Sequence, residues 1–254
     1  MKYTIYAEMK KIWFSRFSRI YLLMTIALGV LIGLLFALST NVTQSRNLTE
    51  LKPMEVITAN MLGVDVATIL LIFFIAILIG REFQSKTIET YLMVTPNRTK
   101  YFISKALHFF ILSLGIGFIV ALLTLGNGQL ILRLIHKETL PMSDGLQFAM
   151  GCIFMPMFYV LLTVCGAFFL RSTAAGIATP LTVMFLPAVT KLLPQSLQDV
   201  IVPFLPATAI HSISGVAQKG GPEDIGIIMA LIVLFIWSLI ACALAIWGLR
   251  RKDI

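Results

Sequence analysis

The sequence predicts an all-α integral membrane protein with six transmembrane helices, an N-terminal amphipathic interfacial helix, a short cytoplasmic helix after the second span and a re-entrant external segment before the sixth. Three observations carry this. Of 254 residues, 58% are hydrophobic and 13% charged, with a mean hydropathy of +0.93, far from the composition of soluble domains. Long stretches lack Asp, Glu, Lys and Arg altogether. The lysines and arginines between those stretches divide unequally across a six-span topology. Each crossing takes about 20 residues, so six use roughly 120 and leave no room for a soluble catalytic domain. The net charge of +8 is a topology signal rather than a nucleic-acid footprint, which excludes nucleic acid as a partner.

Residues 1–19 come first. Tyr6, Met9, Trp13, Phe17 and Ile20 recur at steps of three and four, with Thr4, Glu8, Lys11, Ser15 and Ser18 opposite. That pattern predicts an amphipathic helix lying on the cytoplasmic leaflet, with membrane lipid as its partner. It reads first as a depth anchor for the first span and second as a lever beside a moving partner. The apolar run from Ile20 to Leu38 exceeds the ~7 to 15 residues of a signal-peptide core, so it is expected to remain as the first span.

The spans are expected at about 20–40, 61–80, 104–127, 146–170, 172–190 and 225–249. The charge-free stretch of the second, Val66 to Gly80, is short; extending it to Met61 takes in Asp65 near its outer end, where a carboxylate reaches the headgroups. A seventh apolar stretch, Val200 to Gln218, carries Pro203, Pro206, His211, Ser212 and Ser214. Two prolines three apart remove backbone donors that hydrocarbon cannot replace, so 191–218 is expected to be a broken external re-entrant segment. With six spans, 14 of the 20 lysines and arginines share the side of the termini and six lie opposite. A seventh span would erase most of that asymmetry, so both termini are placed in the cytoplasm.

Little else in the chain suggests chemistry. Cys152, Cys165 and Cys242 lie in apolar runs without C-x-x-C spacing, which argues against a disulfide framework and a metal site. No G-x-x-x-x-G-K-[ST], G-x-S-x-G or H-E-x-x-H occurs, so no catalytic residue is assigned, and neighbours such as His211 and Ser212 do not make a nucleophile and base. A lone His108 at the start of the third span is read as a hydrogen-bonded interfacial residue. Asp65 is the one acid inside a span, too few for an ion-driven carrier. Gly29-x-x-x-Gly33 permits close helix contact, within the chain or between copies.

The connection 81–103 is the one substantial cytoplasmic loop between spans. Ile88, Tyr91 and Leu92 fall on one helical face and Pro96 ends it, which suggests a short helix parallel to the membrane. Its charges, Arg81, Glu82, Glu89 and Arg98, also fit an ordinary solvated surface. Glu82 stands five residues before Thr87, followed by Ile88-Glu89, Leu92, Pro96, Arg98 and Lys105. This run resembles the E-x4-G-T-[IL]-E-x-[IL]-[IL] and P-x-x-R signature of ABC-2 type exporter permeases. Lys86 stands where glycine is usual, and both the Glu82-to-Thr87 spacing and Pro96-Asn97-Arg98 are one residue tighter. The whole layout, amphipathic start to broken external segment, is similar to that family over essentially the full chain.

The resemblance implies that the loop is a coupling helix seated in a groove of a separate ABC ATPase, with Glu82, Thr87, Glu89 and Arg98 forming the coupling element. It implies two ATPase copies that bind ATP and Mg, no cofactor on this chain, and a second permease copy or sister permease. It also implies export through a bacterial cell membrane. Apolar spans with few fixed charges suit hydrophobic or amphipathic cargo, with a peptide or antimicrobial foremost. A non-transporting immunity or sensor-anchoring subunit is the alternative.

Overall fold

A computed structural model describes residues 9–39, 52–85, 87–88, 97–217 and 220–251. The described chain is helical throughout, without strands. Residues 9–14 form a helical segment that stops at Ser15, whose Oγ accepts the Ser18 amide at 3.3 Å and so caps α1 (Arg16–Leu38). A short polar side chain at that position satisfies an amide that the first turn leaves orphaned. Then come α2 (Pro53–Gln84), α3 (Arg98–Leu134), α4 (Met142–Leu170) and α5 (Thr173–Thr190). After α6 (Gln195–Ile201), a 3-10 turn (Val202–Phe204) and α7 (Pro206–Ser214), the chain ends in α8 (Ile227–Arg251). Six of these, α1 to α5 and α8, are long and apolar enough to cross a membrane.

Helix lengths exceed the apolar runs. The 32 residues of α2 and 37 of α3 make rods of about 48 and 55 Å, against a hydrocarbon thickness of ~30 Å. The expected spans 61–80 and 104–127 are therefore the middles of longer helices, and the connection expected at 81–103 is helical up to Gln84 and again from Arg98. Both extensions follow from local chemistry. Pro53 fits the first turn of α2, where its missing N–H costs nothing, and the Glu55 carboxylate accepts the Lys52 amide at 2.9 Å. At α3, Asn97 Oδ1 accepts the Lys100 amide at 3.1 Å.

The bundle is organised around α4. Its apolar window is 72% buried, against 17% for α8, because α2, α3, α5, α7 and α8 all pack on it. Helix packing in an apolar solvent depends on close backbone approach, and glycines supply it. A Cβ on Gly29 would lie 2.8 Å from Ala67 Cβ and 2.9 Å from the Gly63 carbonyl oxygen, and Gly63 abuts the Gly29 backbone. The Gly29-x-x-x-Gly33 pair thus joins α1 to α2 inside one chain. In α3, the notch at Gly117 receives Pro156 of α4, whose Cγ would be 2.9 Å from an added Cβ. The turn between α4 and α5 is only Arg171, left-handed at φ 55°, and Ser172, whose Oγ accepts the Ala174 amide at 3.2 Å.

The proline-bearing segment is broken, as expected. None of the α6 residues is buried, whereas seven of the nine in α7 are, packed on α4 and α8. Pro206 opens α7 at its first turn, and the preceding break leaves the Phe204 carbonyl to accept Trp237 Nε1 of α8 at 3.0 Å. Replacing Gly63 by Val should push α1 from α2 and destabilise the bundle by about 1 to 3 kcal/mol. A lower Tm in lipid nanodiscs, with Gly115→Val as the matched control because nothing lies within 4 Å of Gly115, checks this.

Candidate functional site

The end of the bundle that carries the N-terminal segment, the α2–α3 connection and the C terminus of α8 holds the densest polar network among the described residues. Glu82, in the last turn of α2, turns inward. Its Oε1 accepts Lys105 Nζ of α3 at 2.6 Å and Lys11 Nζ of the N-terminal segment at 3.0 Å, while Oε2 accepts the Tyr101 hydroxyl at 3.0 Å. The side-chain exposures separate the partners: 3% for Lys105, 11% for Glu82 and 58% for Lys11. Tyr101 and Lys105 lie one turn apart on α3, which puts both donors on one face. A buried lysine and a buried carboxylate are tolerable only because each has the other. Lys11 adds a second, solvent-accessible cation to the same oxygen.

Aromatic packing holds this network in place. Phe168, near the end of α4, meets Phe83, Tyr101 and Phe102 edge-on at centroid distances of 5.4, 5.9 and 5.4 Å. Edge-to-face contacts of this kind fix ring orientation as well as burying area. Phe83 follows Glu82 and Phe102 follows Tyr101, so one ring from α4 sets the relative position of α2 and α3 where their charged groups meet. One turn beyond Lys105, His108 is buried with neither ring nitrogen hydrogen-bonded.

The residues expected in the coupling element do not share one surface. Glu82 faces the interior. Arg98 reaches the end of α8, donating from Nη1 to the Leu249 carbonyl oxygen at 3.1 Å, and Arg250 Nη2 returns a contact to Thr99 Oγ1 at 3.3 Å. A guanidinium on a terminal helix carbonyl satisfies an orphaned acceptor and the negative end of the helix dipole together. Thr87 is exposed, with its Oγ1 2.6 Å from Ser85 Oγ; the neighbouring Ile88 is buried. Glu89 lies outside the described residues, as does Tyr6 of the expected interfacial face.

The remaining interfacial residues, Met9, Trp13 and Phe17, are exposed, at 48%, 72% and 58%, while Ile12 is buried and joins the core. The face expected to be polar is therefore the one that docks, through Lys11 and Ile12, and the apolar face points away from the bundle. Sequence reasoning missed Lys11, Tyr101 and Lys105 as members of the network. Lys11 was placed on the polar face of the N-terminal segment, and Lys105 was noted only as the last member of the signature-like run. The i, i+4 pairing of Tyr101 with Lys105 just inside an apolar run was the available signal.

At the opposite end, His211 Nδ1 of α7 lies 3.2 Å from Glu223 Oε2. That hydrogen bond holds the Glu223 carboxyl below its ordinary range. His211 thus pairs with Glu223 rather than with the adjacent Ser212. Among the described residues no group of three or more His, Cys, Asp or Glu is placed to hold a metal ion.

Glu82→Gln would strand the Lys105 charge and should cost about 3 to 5 kcal/mol, recovered in large part by the double replacement with Lys105→Met. Lys11→Ala should cost under about 1 kcal/mol because Lys11 is solvated. A double-mutant cycle on Tm in nanodiscs measures both.

No match is found among curated proteins or among solved structures. Residues 4–188 match the family model described as ABC-2 family transporter protein, a stretch that runs from the N-terminal segment nearly to the end of α5 and includes the whole Lys11–Glu82–Lys105 network. With six apolar helices long enough to cross a bilayer and a match over more than half its length, the chain belongs to the ABC-2 transporter family, whose members are the membrane permease components of ABC transporters and work with an ABC ATPase.

Proposed function

We propose that the protein is the permease of an ATP-driven exporter, with both termini in the cytoplasm of a bacterial cell, pairing with a second permease copy or a sister permease and with two ATPase subunits that carry ATP and Mg. The observation that supports this most directly is the Lys11–Glu82–Lys105 network. It ties three parts into one unit: the N-terminal segment, the end of α2 where the connection begins, and the start of α3 where the connection ends. An ATPase pressing on the connection therefore moves the ends of two spans and the N-terminal segment together. Thr87 and Glu89 present the contact to the ATPase. Glu82 and Arg98 are positioning residues that hold the frame of the connection, Glu82 against α3 and Arg98 against α8.

Such a device transmits work only if the ATPase binds the two permease states with different affinity. Lys11 is suited to be the adjustable member. It is the exposed partner of a carboxylate that Lys105 keeps neutralised, so releasing it leaves no bare buried charge. The exposed apolar face of Met9, Trp13 and Phe17 then lies in the lipid of the cytoplasmic leaflet, so that the segment pivots between bilayer and bundle. The cargo that suits these apolar spans is a hydrophobic or amphipathic molecule, foremost a peptide or antimicrobial.

Two measurements test the reading. A mild-detergent pull-down of the tagged permease from its native membrane should recover a Walker-A ATPase at stoichiometric abundance; its absence from every preparation removes the transporter reading. In the recovered complex, Lys11→Ala and Glu89→Ala should each lower substrate-stimulated ATPase and transport by about fivefold or more, with membrane insertion unchanged. Unaltered transport in both variants removes the coupling assignment.

A further inference from the structure

Both α5 and α8 pack on α4, and a narrow apolar cavity of about 140 Å3 lies in the seam between them. Gly166 and Phe169 of α4, Val183 of α5, and Trp237, Ala241 and Leu244 of α8 line it. The α8 members recur at steps of three and four, so they share one face of that helix, and the same face continues through Gly248 to Arg251. Direct contacts follow the same course. Phe169 stacks on Trp247 at a centroid distance of 6.3 Å, and the Arg251 guanidinium lies over the Trp247 ring at 4.7 Å. Gly248 admits the approach of α8 to α4, since a Cβ there would lie 2.8 Å from the Phe169 ring and 3.0 Å from its carbonyl oxygen. The cavity is thus joined, ring by ring, to a cation at the end of the bundle where α8 finishes.

The two ends of this seam differ. At the deep end Trp237 is tied by its Nε1 to the Phe204 carbonyl oxygen and stops the groove. At the other end Trp247 and Arg251 are exposed. Arg251 makes no hydrogen bond or ion pair among the described residues, so its N–H donors are uncommitted, whereas Arg250, on the opposite side of α8, is engaged with Thr99. From Trp237 to Arg251 the helix rises about 21 Å, and one leaflet with its headgroups is about 20 to 22 Å deep. Tryptophan and arginine are the side chains that the headgroup level favours, and a guanidinium takes two phosphate oxygens at once. The rim of the groove favours lipid over another helix. Ile240 and Leu244 stand 52% and 48% exposed along it; helices in a bilayer pair through small residues that admit a backbone, whereas a single acyl chain threads between large branched ones.

We propose that the seam between α5 and α8 binds one anionic phospholipid from the leaflet at this end of the bundle, with its phosphate on Arg251 and an acyl chain running past Phe169, Leu244 and Ala241 as far as Trp237. The lipid completes the packing of α8, the least buried of the six apolar helices, against α4 and α5. The inference goes beyond the export reading and does not depend on it, since it involves no ATPase, no cargo and no direction of transport.

The test uses the full-length chain in nanodiscs that hold equal amounts of phosphatidylglycerol and phosphatidylcholine with identical acyl chains, released gently and weighed intact by native mass spectrometry. Each chain should retain one phosphatidylglycerol, preferred over phosphatidylcholine by about fivefold or more. Arg251→Gln should remove that preference, and Ala241→Phe, which fills the groove and keeps the charge, should lower retention of phosphatidylglycerol severalfold. Arg19→Gln, which removes an exposed positive charge from α1, should leave both unchanged. Equal retention of the two lipids by the wild-type chain, an unchanged preference in Arg251→Gln, or unchanged retention in Ala241→Phe overturns the site. An equal loss of preference in Arg19→Gln assigns the effect to general surface charge and overturns it as well. A dimer that persists without lipid and that Ala241→Phe dissociates puts a second copy of the chain in the groove and removes the lipid from it.

Discussion

A carboxylate placed where a bilayer's hydrocarbon begins must find its counter-charge inside the protein, and Glu82 finds it in Lys105 at 2.6 Å. Much of the arrangement at that end of the molecule follows from this pairing. It fixes the end of α2 against the start of α3, so the connection between them departs and returns at a set spacing. It brings Tyr101 to the second carboxylate oxygen and leaves Phe83 and Phe102 flanking Phe168. The pair alone adds little net stability, since desolvation offsets most of its attraction; it acts on the register of the two long helices together with the notch at Gly128 of α3, where an added Cβ would lie 2.9 Å from Ile57 of α2.

Against that buried pair, Lys11 is the solvent-exposed third member. The contrast in exposure between the two lysines sets a buried charge beside a solvated one on the same acceptor oxygen. Arg98 and Arg250 link α3 and α8 a short distance away by side-chain hydrogen bonds at solvated helix ends. The end of the bundle that faces the α2–α3 connection is thus rigid at its centre and looser at its edge. A permease driven by another subunit needs both properties, because force passes through stiff parts and states interconvert through soft ones.

The number of spans was legible in the sequence because each is a long run without charge, a signal that depends on composition alone. Helix ends were not. Past the apolar run, α2 and α3 continue on capping and side-chain contacts that hydropathy does not register. The break at Pro203 and Pro206 was legible because proline acts locally; the fate of the two halves, α6 outside and α7 against α4, was not, since it depends on where Gly151 leaves room for Ser214. Likewise Gly29 and Gly33 announced a close contact without naming its partner, which proved to be Gly63 and Ala67 of the same chain. At the candidate site, Glu82 was visible as a motif acid, yet its burial, and with it the parts of Lys11, Tyr101 and Lys105, required knowing which side chains meet from three separate stretches of sequence. The two-faced N-terminal segment was visible as well, but periodicity cannot say which face meets protein and which meets lipid.

The turn at Arg171 and Ser172 bears on how the chain enters its membrane. Two residues leave no polar linker in which α4 could finish crossing before α5 begins, and α5 is the least apolar of the six helices and carries Pro180 and Pro187 within it. A helix of that composition gains least from lipid on its own. Joined so tightly to α4, it is delivered as the second limb of a hairpin, with Thr179 already beside Gly166, and its carbonyls opposite the prolines meet a protein neighbour rather than hydrocarbon. The biosynthetic unit of this region is therefore the pair, and lengthening the turn would convert one insertion event into two, the second of them the weaker.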